Sequence, residues 1–169
     1  MKLTNRRAVS LYRFLTGLEQ ERNEHGEVTK VNRGKIADKV VRAAIIDNIV
    51  ALALINDEMK KQESILQEQY FTDEYIELYK QFIAANKVND TARIETLNEA
   101  MKEAEKPFAS EYIASREKLL DEEKEVNLTL IDRDMFDAAT EACDFSMKIY
   151  VEFAFMFKTN KKEVLNEKD

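Results

Sequence analysis

Apolar residues recur at helical intervals along most of the chain, and the longest stretch of one character runs from Gly34 to Tyr70. No Pro interrupts it and Gly stands only at its mouth, so an α-helix of about 35 residues and about 50 Å is predicted. Ile45, Ile49, Leu52, Ile55, Met59 and Leu66 follow one another at three, four or seven residues, the stripe of such a helix. Between Val40 and Ile55 apolar residues spread beyond that stripe, which predicts burial on more than one side. From Asn56 onward the helix becomes amphipathic and charged. A membrane span is not expected, because Asp38, Lys39, Arg42 and Asp47 interrupt the apolar run well short of about 20 residues.

The same periodicity places the other elements. Thr4 caps a first helix with Ala8, Leu11, Tyr12, Leu15 and Leu18 on one face, ending near Gly17 to Glu21. The polar stretch EQERNEHGEVTKVNRG reads as a loop. Thr72, followed by Asp73 and Glu74, opens a third helix that ends between Asn86 and Asp90, and Asp90 or Thr91 caps a fourth. In that fourth segment Ile94, Leu97, Met101, Ala104 and Phe108 alternate at three and four, a heptad-like seam expected to pack antiparallel on Asn56–Tyr70. Pro107 removes a backbone donor and disfavours helical geometry at Lys106, so a kink or a break is predicted there.

Val126, Leu128 and Leu130 alternate with polar residues, a short extended segment near 126–131 that forms a strand if a partner edge exists. Over 145–157 two patterns coexist. Every odd position is apolar, as in a strand, while Phe136, Ala139, Cys143, Met147, Tyr150, Val151, Ala154 and Phe157 form a helical stripe starting from Asp134. The helix is favoured, because DMFDAATEAC leads into it and no turn residue ends it. Residues 158–169 read as a flexible tail.

Composition agrees with this pattern. Three Gly and one Pro in 169 residues, with 35% charged and 44% hydrophobic residues, fit long helices and not a β-sandwich. The expectation is a mainly α protein, a helical bundle with a long antiparallel helical hairpin, folded as one domain over 1–157. Cys143 is the single cysteine, which excludes an internal disulfide and fits a reducing, cytoplasmic setting. The net charge of −7 is uneven: bases outnumber acids over the first 42 residues, and the rest of the chain is acidic.

Chemistry-bearing constellations are sparse. His25 is the one histidine, so the Glu-x-x-His pairs of di-iron bundles cannot form, and a nucleophile relay would need His25 itself. The carboxylate pairs Glu103/Glu105 and Glu122/Glu123 read as solvated helix faces, and Cys143 as a small packed hydrophobe. No enzyme, metal or cofactor is expected. Two features remain as candidate contact sites. Lys30, Arg33, Lys35, Lys39 and Arg42 form a basic start to the long helix, suited to nucleic-acid phosphates or an acidic protein. Tyr150, Phe153, Phe155 and Phe157 exceed what one helical face buries, which leaves room for an interface.

The opening MKLTNRRAVSLYRFLTGL, the basic loop, the long helix with a Lys/Glu-rich arm, the V-x-L-x-L-I segment and a closing helix together resemble small helical proteins of unknown function encoded by tailed bacteriophages. The aromatic end FSMKIYVEFAFMF departs from that layout. The resemblance implies a non-enzymatic accessory in the host cytoplasm or the virion. It would act by protein contact, with itself, a virion component or a host protein, and nucleic-acid binding through the basic start is the alternative.

Overall fold

The computed structural model describes residues 1–17, 20–22, 28–31, 36, 38–143, 145 and 147–158. The protein is mainly α, a helical bundle with two small two-stranded sheets among the described residues. The chain gathers into two compact units, Met1–Asn56 with Glu123–Asp169, and Asp57–Glu122. None of the described helices is long and apolar enough to cross a membrane.

The first unit begins with strand β1 (Lys2–Thr4) and helix α1 (Asn5–Gly17). Thr4 Oγ1 accepts from the Arg7 amide at 3.2 Å, the cap read from sequence. Ala8, Leu11 and Leu15 are the buried stripe of α1. The expected loop contains β2 (Gln20–Arg22) and β3 (Val28–Val31), which pair antiparallel. The β-branched Val28, Thr29 and Val31 favour an extended chain. The QER strand has no such signal in its sequence and pairs with β3 through its backbone.

The long helix α2 (Lys39–Tyr70) starts five residues later than Gly34. Asp38 explains the shift: its Oδ1 accepts from the amides of Val40 at 2.7 Å and Val41 at 3.0 Å. Val41, Ala44, Ile45, Asn48, Leu52 and Ile55 form the buried side of its first half. Burial on a second side is not what the structure shows, since Val40, Ile46, Val50 and Leu54 are exposed.

The returning chain closes this unit. Strand β4 (Glu123–Glu125) pairs antiparallel with β1, Lys2 opposite Glu125 and Thr4 opposite Glu123. The ladder continues one rung further: the Met1 ammonium donates to Val126 O at 2.7 Å and the Val126 amide to Met1 O at 2.8 Å. The extended segment is therefore anchored at its ends, with the strand itself three residues earlier than the apolar alternation suggested. At the other end Ile131 bridges Phe157 in parallel, its amide donating to Met156 O at 2.8 Å and its carbonyl accepting from Lys158 at 3.0 Å. Lys158 thus belongs to the fold, also pairing with Asp132 at 2.8 Å, while 159–169, the rest of the expected tail, lie outside the described residues.

The aromatic end is helical, in two pieces. Helix α6 (Arg133–Thr140) passes into a 3-10 turn at Glu141–Cys143, and α7 (Met147–Phe153) ends in a second 3-10 turn, Ala154–Met156. Its first turn follows Asp132, two residues before the expected Asp134. Phe136, Phe153 and Met156 are fully buried, with Phe153 4.6 Å from Phe136 and 5.1 Å from Phe14 between ring centroids.

The second unit holds the rest of α2 with α3 (Asp73–Lys87), α4 (Thr91–Glu105) and α5 (Ala109–Asp121). Thr72 and Asp90 cap α3 and α4 by accepting from Tyr75 N at 3.2 Å and Arg93 N at 3.1 Å. Between them Asn89 adopts a left-handed φ of 53°, a conformation Asn tolerates better than most residues. Pro107 stands in the break between α4 and α5. The Ile94–Phe108 seam packs closely on α3, and the charged arm of α2 touches α5. Arg116 Nε donates to Glu63 at 2.7 Å, and the hydroxyls of Tyr70 and Ser115 share a hydrogen bond of 3.0 Å. Phe71, Tyr75, Phe108 and Tyr112 cluster with ring centroids 4.8–5.4 Å apart.

Candidate functional site

Of the basic start of α2, Lys39 and Arg42 fall wholly within the described residues. Arg33, Lys35 and the side chain of Lys30 lie outside the described residues, although the Lys30 backbone belongs to β3. Lys39 is exposed and Arg42 half-buried, one turn apart. A phosphate at this end would compete with the Asp38 carboxylate, which already takes the amides of Val40 and Val41.

The aromatic group divides by face. Phe153 is core and Phe155 is half-buried, whereas Tyr150 and Phe157, with ring centroids 5.8 Å apart, line a groove of about 550 Å³. Phe145, Met147, Val151 and Ala154 complete its apolar wall. Arg133 and Asp137 supply the polar part from α6, where their spacing of four puts both on one face. Met147 and Val151 stand 76% and 61% exposed.

The two charged residues fix the tyrosine. The Tyr150 hydroxyl donates to Asp137 Oδ1 and accepts from Arg133 Nε at 3.0 Å, and the Arg133 guanidinium carbon lies 5.5 Å from the ring centroid. Burial, and then the hydrogen bond to Asp137, push the Tyr150 hydroxyl above the ordinary tyrosine value near 10. The Tyr150 hydroxyl is thus held between Asp137 and Arg133 at the wall of the groove.

Tyr150 and Phe157 belong to the aromatic group named from the sequence, whereas Arg133, Asp137, Met147 and Val151 do not. The opposite charges four residues apart on a short helix were the available signal for the first two. Among the described residues no group of three or more His, Cys, Asp and Glu is placed to hold a metal. Cys143 is half-buried. No protein-family model, curated protein or solved structure matches this chain.

Proposed function

We propose that the protein is a non-enzymatic accessory that works by holding another protein, and that the groove between α6 and α7 is where it takes hold. The exposure of Met147 and Val151 beside an aromatic-walled groove carries this reading. Covering each of them contributes about 1.5–3 kcal/mol, and the Arg133/Asp137 pair gives a polar rim that orients a guest. An apolar side chain projecting from a helix or loop of the partner matches the size and lining.

The layout shared with small tailed-phage proteins supports a partner in the virion, in its assembly or in the host cytoplasm. A photo-crosslinking residue at Val151, with one at exposed Glu99 as control, tests the contact. A discrete crosslinked protein at Val151 alone is expected, and it is lost when Met147→Glu is added. Identical background at both positions rejects the reading. Mass spectrometry of purified particles then separates a virion component from an assembly factor or a host inhibitor.

A further inference from the structure

A second face of α2 presents large apolar side chains to solvent. At about 100° per residue, Val40, Ala43, Ile46, Val50 and Leu54 lie opposite the buried stripe that contains Asn48 and Leu52. Ile46, Val50 and Leu54 are 54%, 60% and 73% exposed. The centre of this face is spaced like a coiled-coil seam: Lys39, Ala43, Ile46, Val50, Ala53 and Asp57 follow at intervals of four, three, four, three and four. The helix is continuous through all six.

The seam reads the same from either end. Residues equidistant from Asn48 match in kind: Ile46 with Val50, Ala43 with Ala53, and Lys39 with Asp57. We propose that this face joins two copies of the chain as an antiparallel helix pair about a two-fold axis level with Asn48. A two-fold interface must be self-complementary, residue i meeting j while j meets i, and this order of residues satisfies that condition. Ile46 of one copy packs on Val50 of the other, the small Ala43 and Ala53 let the backbones approach, and Lys39 reaches Asp57 twice. Val40 and Leu54 meet along one flank.

Charge selects the direction. A parallel, in-register pair would set Lys39 on Lys39 and Asp57 on Asp57. Asp57 already holds Lys60 at 3.4 Å in an exposed pair, so Lys39 of the second copy joins an existing cluster of opposite charges. Asp47 opposes the pairing mildly, because the two-fold brings its two copies near each other on the Val40 flank. The contact spans about 27 Å of one helix, shorter than the usual stable interface, so the dimer is reversible. It does not depend on what occupies the groove of α6 and α7.

Sedimentation velocity on the full chain over a concentration series tests the proposal. A concentration-dependent dimer is expected. Val50→Glu, at an exposed position, weakens it at least about tenfold with an unchanged circular dichroism spectrum and melting temperature. Lys39→Glu and Asp57→Lys each weaken it about two- to fivefold, an equimolar mixture of the two singles forms a heterodimer that restores the affinity, and Asp47→Asn tightens it. A monomer at every concentration overturns the proposal and leaves this face to another protein or another segment of the chain. A dimer indifferent to Val50→Glu places the contact elsewhere and overturns it equally. Loss on Val50→Glu without recovery in the charge-swapped mixture rejects the antiparallel register.

Discussion

The side chain of Asn48 forms both hydrogen bonds that an adjacent strand would offer Thr129: Nδ2 donates to Thr129 O at 3.1 Å, and Oδ1 accepts from Thr129 N at 2.7 Å. Asn48 is fully buried in the middle of the apolar stripe of α2. A helix thereby holds the extended segment between Val126 and Ile131 without a third strand.

Asn48→Ala is expected to lower stability by about 1–3 kcal/mol, the range for two such bonds with one buried partner removed. Asn48→Asp costs more at neutral pH, since it keeps the acceptor, loses the donor and buries a charge. Its deficit shrinks as pH falls and the carboxyl takes up a proton. Urea denaturation at two pH values checks both expectations.

Phe108 stands in the break after Pro107 and touches Phe71 and Tyr75 at 5.4 and 5.2 Å between ring centroids. Phe108→Ala empties a nearly closed site and is expected to destabilise its unit by about 3 kcal/mol. Hydrogen exchange should show the loss of amide protection in α3, α4 and α5. Undiminished protection there would mean that the ring cluster contributes little.

Tyr150 gives a pH prediction. Its folded-state value lies above the ordinary one, so its contribution to stability is complete below about pH 10 and is lost as pH rises through the folded value. Absorbance titration of the parent minus Tyr150→Phe should show one tyrosine ionising above the ordinary range. Asp137→Asn, which removes the carboxylate that accepts the hydroxyl proton, should bring that ionisation down.

Features governed by local chemistry were legible in the sequence. Thr4, Thr72 and Asp90 cap helices through their own side chains, and Pro107 ends one through its ring, so neighbours in sequence suffice. Asp38 shows the limit: in the pattern it is a charge in an apolar run, and in the structure it sets where α2 begins. Periodicity says that a face is apolar and not what covers it, so nothing in the pattern of the arm of α2 points to Arg116 and Ser115 of α5, which bond to Glu63 and Tyr70. For the same reason Val40, Ile46, Val50 and Leu54 looked like core. The strands KLT and EKE carry no alternation because they bury little and are held by backbone bonds. Asn48 was invisible, since its partner Thr129 is a backbone 81 residues away. Two of the eight residues that line the groove, Tyr150 and Phe157, stand in the aromatic group that the sequence shows. The α6 residues that orient Tyr150 became visible once two helices were brought side by side.

The rung between Met1 and Val126 also constrains the order in which the chain folds. Asp57–Glu122 is contiguous and can fold as it leaves the ribosome, but the unit containing Met1–Asn56 is not complete until Glu123–Ile131 has been synthesised. Until then α1 and the first half of α2 keep their apolar stripes uncovered, a state prone to premature association. Released chains truncated shortly after Asp121 should therefore display a protease-resistant α3–α5 segment behind a protease-sensitive N-terminal region, and the sensitivity should disappear in chains that extend past Lys158.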